Sequence, residues 1–201
     1  MLLSLEGPSQ PPRTGGKPKS VVVLLHGFGA DGNDLIGLAP HWAAQLPETE
    51  FVSPHAPFPC DMAPYGRQWF SFQDRSPDMV LAGVRAAATI LDGFLDDVLA
   101  ARGLDESRLA LVGFSQGTMM SLHVGLRRKA ALAGILGYSG RLLGPELLAE
   151  ELRAKTPVLL VHGNADEMVP FESLADSKAA LVGLGVPVET LVSSGRSCRR
   201  T

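Results

Sequence analysis

Short apolar runs of strand length alternate with helical patterns along almost the whole chain, and this alternation restricts its fold more than any other feature. Val21-Val-Val-Leu-Leu25 is unbroken by polar residues, as a strand buried on both faces must be, and the signature returns at residues 109–114, 132–138 and 158–161. Weaker versions lie at 50–53 and 186–192. Between them, residues 78–102 carry Val80, Val84, Ala87, Leu91, Phe94 and Val98 at helical spacing, with Gly103 as the stop. Helices are expected there and over 34–46, 116–129, 145–154 and 171–184. Strand and helix taking turns predict an α/β fold, with a mostly parallel central sheet and helices on both faces. With no internal repeat and no second unit, residues 1–201 are expected to form one domain.

In such a sheet, ligands and chemistry collect beyond the carboxyl ends of the strands. Four segments fall on that rim: His26-Gly-Phe-Gly-Ala-Asp-Gly-Asn33, Pro54-His-Ala-Pro57, Ser115, and His162-Gly-Asn-Ala-Asp166. Other function classes lack support. Eighteen basic residues against 21 acidic ones give a formal net charge of −3 with no long basic stripe, so no nucleic-acid partner is expected. The first residues lack the basic region of a signal peptide, and no apolar run approaches the roughly 20 residues of a spanning helix. Cys60 and Cys198 make no disulfide framework, which suits a reducing compartment, so a cytoplasmic location is expected.

Leu111-Val-Gly-Phe-Ser-Gln-Gly117 runs a buried strand straight into G-x-S-x-G and an apolar helix. A serine hydroxyl needs to be held exposed and relieved of its proton before it attacks a carbonyl. The two glycines permit the tight strand-to-helix turn that does the first, making Ser115 the candidate nucleophile. Attack creates an oxyanion that needs two fixed donors about 3 Å away. The Gln116 N–H is one, and the glycine-rich loop after the first strand offers a second, at Phe28. That loop lacks both G-x-G-x-x-G and a Gly-Lys-Ser/Thr ending, which disfavours a phosphate cradle. Asp166 stands in a loop after a later strand, where the acid of a Ser…Asp…His order belongs; Glu167 and Asp31 are weaker rivals.

These segments, with Tyr138-Ser-Gly140 and the run on to Pro170, resemble the phospholipase/carboxylesterase family of α/β-hydrolases, to which the acyl-protein thioesterases belong. The likeness runs in order from about residue 3 to residue 193. It implies a serine hydrolase of short- to medium-chain carboxylic esters or thioesters, acting on a small acyl substrate without cofactor or metal. It also implies nucleophile Ser115, acid Asp166, oxyanion donors Phe28 and Gln116, and Trp69 beside the substrate pocket. The segment 55–76 carries Phe58, Met62, Tyr65, Trp69, Phe70 and Phe72 among prolines and could wall that pocket.

The base is the gap in the pattern. The family's histidine follows its last strand, in a short Gly-His segment before a final helix, whereas this chain reads Ser193-Ser-Gly-Arg-Ser-Cys-Arg-Arg-Thr201. All five histidines come earlier: His41 and His123 are expected to be surface or packing residues, and His26, His55 and His162, on the rim, to be structural, with a surrogate base among these three as the lesser alternative. Loss of a triad histidine costs on the order of a million-fold in turnover. The chain as written is therefore expected to be nearly inactive, or to be a binding scaffold that keeps the pocket. One nucleotide forward, codons for Gly195 to Cys198 permit Gly-Gly-His-Ala or Gly-Gly-His-Val, so a truncation or frameshift at about residue 194 is expected. A missing last helix would leave apolar sheet uncovered and favour self-association.

Overall fold

The computed structural model describes residues 4–194. The chain forms β1 (Ser9–Gln10), β2 (Ser20–Leu25), α1 (Gly32–Ile36), α2 (Ala39–Trp42), β3 (Thr49–Val52), β4 (Phe58–Pro59) and β5 (Arg67–Gln68) in its first part. There follow α3 (Pro77–Arg102), β6 (Leu109–Phe114), α4 (Gln116–Gly125), β7 (Gly134–Tyr138), α5 (Pro145–Glu151), β8 (Val158–Gly163), α6 (Glu172–Gly183) and β9 (Val188–Ser193). Seven strands make one sheet in the order β1-β3-β2-β6-β7-β8-β9, parallel throughout except for the antiparallel edge strand β1. β4 and β5 pair as a separate antiparallel hairpin. The expected α/β architecture is present.

Alternating side chains of the central strands feed two cores. Val21, Val23, Leu25, Leu109 and Leu111 face α3 and α4, meeting Val84, Leu91, Leu95, Met120 and Leu122. Val158 and Leu160 continue this layer under Leu148 of α5 and Leu181 of α6. The opposite residues, Val22, Leu24, Phe51 and Val112, lie under Ala39, Trp42 and Ala43. Helices thus cover both faces, but α1 and α2 cover only part of the second. Beside Trp42 and Leu46 an open apolar trough of about 570 Å³ runs across Ala110, Leu136, Leu159 and Val188. The segment expected to carry the truncation or frameshift, and Cys198 with it, lies outside the described residues.

Several expectations need correcting. The helix expected over 34–46 is two short ones, because Gly37 closes α1 and Pro40 opens a new first turn in α2. The helix expected to reach Lys129 stops at Gly125, whose Cβ position would lie 2.7 Å from the Ile135 side chain. Beyond it, the Leu126 carbonyl accepts from Arg153 and Ala154. The polar start of the chain contributes an edge strand through Ser9 and Gln10.

Candidate active site

β6 delivers Ser115 to the rim on a bend that only this pattern of glycines tolerates. A Cβ on Gly117 would lie 1.8 Å from the Leu25 carbonyl oxygen, and one on Gly113 would lie 2.4 Å from Gly117 backbone atoms. Strand β2, strand β6 and helix α4 therefore meet at backbone contact. Ser115 itself sits at φ 53°, ψ −113°, a strained conformation for a residue with a side chain. Its N–H is tied to the Tyr138 carbonyl at 2.9 Å and its carbonyl accepts from Met119 at 3.2 Å. It occupies the N-cap of α4 without a capping side-chain bond, so Oγ is not spent on the helix end.

The loop after β2 lies against this bend. A Cβ at Gly27 would come 2.9 Å from the Phe114 ring and 3.4 Å from Ser115 Cβ, so the loop can be this close only with glycine there. Neither the Phe28 N–H nor the Gln116 N–H has a protein acceptor among the described residues. Both belong to backbone that reaches Ser115, and Gln116 also stands at the positive end of a helix. Arranged this way, two amide donors and a half-buried hydroxyl can serve a carbonyl that becomes an oxyanion.

Trp69 is wholly buried and so does not offer its face to a substrate, which corrects the expectation of a pocket wall. Its indole N–H donates to the His26 carbonyl at 3.0 Å, and its backbone N–H donates to Gln116 Oε1 at 3.0 Å. Gln116 Nε2 in turn donates to the Phe70 carbonyl at 2.8 Å. The segment around Trp69 is thereby clamped to both the bend and the loop. Of the segment's other large apolar residues, Phe70 is buried, Met62 and Tyr65 are exposed, and Phe72 packs on Phe28 with ring centroids 5.4 Å apart. The Arg75 guanidinium lies 5.9 Å over Phe72. A cavity of about 380 Å³, lined by Arg75, Leu81, Arg141, Leu142, Glu146 and Asp176, opens one residue beyond Gly140, whose Cβ position lies 2.8 Å from the Ser115 carbonyl oxygen.

Asp166 follows β8, two strands from β6 and so roughly 10 Å across the rim. Its Oδ1 accepts from Met168 N–H at 2.9 Å and Val169 N–H at 3.0 Å, which orders the loop rather than capping α6. Its Oδ2 is buried without a hydrogen-bond partner among the described residues, 3.6 Å from His162 Nε2, and the side chain is 1% exposed. Asp31 is the N-cap of α1, accepting from Asn33 N–H, while Glu167 is exposed.

The histidines have other work. His26 Nε2 accepts from Ala56 N–H at 2.9 Å, and its Nδ1 lies 2.8 Å from the Gly27 carbonyl; burial lowers its pKa. His55 Nδ1 accepts from Gly32 N–H, and His162 Nε2 lies 3.0 Å from the Val169 carbonyl. His41 is exposed on α2. His123 is buried in α4 with Nδ1 unpartnered among the described residues, and burial followed by the nearby Arg127 lowers its pKa to about 4. Sequence reasoning missed the roles of the His26 ring and the Gln116 side chain. Their partners are up to 47 residues away, and no local pattern announces them.

Comparison with known proteins agrees with this fold. The model of the phospholipase/carboxylesterase family matches residues 13–193. Acyl-protein thioesterase 1 of Gibberella zeae is 29% identical over 186 residues, 84% of this chain and 79% of the relative. That of Schizosaccharomyces pombe is 30% identical over 161 residues, covering 75% and 70%. The crystal structure of esterase PE8 superposes with a TM-score of 0.92 at 42% identity, covering 96% of this chain and 90% of the other.

Proposed function

The chain belongs to the phospholipase/carboxylesterase family, and we propose that it hydrolyses short- to medium-chain carboxylic esters or thioesters through an acyl-enzyme on Ser115. One observation carries this reading: Ser115 is held at φ 53° between a buried strand and a helix start, beside two amides without protein acceptors among the described residues. Ser115 Oγ attacks the acyl carbonyl, and a base takes its proton. The Phe28 and Gln116 N–H groups receive the oxyanion, each worth about 10²- to 10³-fold in turnover. Collapse of the tetrahedral intermediate expels the alcohol or thiol, and water repeats the sequence on the acyl-enzyme. Asp166 Oδ2, buried and without a hydrogen-bond partner among the described residues, is the group that would accept an imidazole N–H and stabilise its charged form. The Phe28–Phe72 pair and the cavity beyond Gly140 take the substrate's small acyl or leaving group. No nucleic acid and no cofactor enters these steps.

A second reading is favoured by one observation. None of the ring nitrogens described above stands on Asp166 Oδ2 closer than the 3.6 Å of His162, whose Nε2 already engages Val169. A scaffold that binds acyl ligands and lacks its base fits that fact. Hydrolysis of p-nitrophenyl butyrate by the chain and by Ser115→Ala separates the two. Turnover removed by the alanine supports the hydrolase; equal rates for both proteins, with ester binding retained, support the scaffold.

A further inference from the structure

His26 is fully buried at the end of β2, and its two ring nitrogens face groups of opposite character. The Ala56 backbone N–H can only donate, so Nε2, 2.9 Å from it, carries the lone pair. A neutral imidazole then has its proton on Nδ1, 2.8 Å from the Gly27 carbonyl, which can only accept. The surroundings therefore admit one tautomer. Burial, the largest influence on the ring, lowers its pKa against the raising effects of the Gly27 carbonyl, Asp31 and Asp34; His55 lowers it further.

The Gly27 carbonyl belongs to the peptide unit that carries the Phe28 N–H. No described peptide bond is cis, so the two groups point in opposite directions in one plane. The same carbonyl accepts from Ala30 N–H at 3.3 Å, and the preceding carbonyl, of His26, accepts the Trp69 indole N–H at 3.0 Å. Both peptide units are held by their oxygens, and the Phe28 N–H is left without a protein acceptor among the described residues. We propose that His26 is a positioning residue: its Nδ1–H fixes the Gly27–Phe28 peptide so that the Phe28 N–H faces the oxyanion formed at Ser115. This rests on the acyl-transfer reading of the site. It differs from a purely structural role, in which the ring would only fasten the loop to the 54–57 segment through Ala56.

Two variants tell these roles apart. The amide nitrogen of Asn falls near the place of Nδ1 and keeps a donor for Gly27, whereas the amide of Gln reaches toward Nε2 and keeps the contact with Ala56. The measurements are kcat and KM for p-nitrophenyl butyrate, the rate at which a fluorophosphonate labels Ser115, and the melting temperature of each protein. Positioning predicts that His26→Gln loses about 10²-fold in kcat and in labelling rate with KM little changed, while His26→Asn recovers most of both. The reverse order, or rates that merely follow melting temperature, overturns it. Nitrogen-15 NMR of the unaltered protein supplies a readout independent of turnover: a His26 ring protonated on Nε2 overturns the proposal. A parent protein in which Ser115 is neither acylated nor labelled overturns the reading of the site and the positioning role together. Reactive protein with equally fast variants overturns the positioning role alone.

Discussion

At Ser115 the backbone stores strain where the chemistry is proposed. A side chain at φ 53°, ψ −113° costs on the order of 1–3 kcal/mol, and glycine has no Cβ to bear that cost. Ser115→Gly is accordingly expected to raise stability by about 1 kcal/mol in urea unfolding while removing the hydroxyl. Gly117→Ala should do the opposite, since its Cβ would overlap the Leu25 carbonyl at 1.8 Å. A loss of at least about 1–3 kcal/mol is expected from that overpacking, measured by the same unfolding curve. His123 links single-residue chemistry to pH. Its pKa, lowered from 6.5 to about 4, means that the unfolded chain binds more protons than the folded one between those values. Stability is then full above about pH 6.5 and falls as pH drops toward 4, by up to roughly 3 kcal/mol from this group. Because Nδ1 of His123 has no partner to lose, His123→Leu should flatten that part of the pH–stability curve. Unchanged curvature in the variant would contradict the assignment. The bend at Ser115 was legible at this scale because G-x-S-x-G carries its own steric reason. The tautomer of His26 was not, since it depends on Ala56, 30 residues away.

Elements were legible where their periodicity is long and their ends are marked. α3 runs over Pro77–Arg102, with Gly103 at φ 68° closing it as the sequence indicates. β6 coincides with its apolar run. Boundaries failed where tertiary contact decides them, as at Gly125 under Ile135, or where two signals compete, as at Gly37 and Pro40. The edge strand at Ser9 and Gln10 has too few residues for any periodic signal and exists because β3 offers a free edge. One side chain ties several elements together. Arg128, with a side chain 3% exposed, bonds Asp92 and Asp96 on α3 and lies 3.3 Å from the buried Glu106. Arg128→Met would leave Glu106 buried with, among the described residues, the longer contact to Lys129 at 3.5 Å. A cost of about 3 kcal/mol is expected in urea unfolding. A loss near zero would show that the exposed aspartates and solvent already balance the charge.

On the scale of the whole molecule, the two faces of the sheet are unequally covered. The face under α3, α4, α5 and α6 is closed, whereas the trough across Ala110, Leu136, Leu159 and Val188 is open and continues to the edge strand β9. Leu191 and Val192 on that strand are 58% and 52% exposed. An apolar face joined to an edge that is unpaired among the described residues suits an isologous contact with a second copy, edge to edge. Sedimentation velocity should therefore show concentration-dependent association that Leu191→Lys weakens; a monomer at every concentration would contradict it. The partial cover was foreseeable in outline from the sequence, but its extent depends on how little of the second face α1 and α2 reach. The account as a whole turns on Ser115. Its most direct test is the hydrolysis of p-nitrophenyl butyrate by the chain beside Ser115→Ala. The account predicts turnover, low for want of a triad histidine, that the alanine removes, and turnover that is absent, or equal in the two proteins, would contradict it.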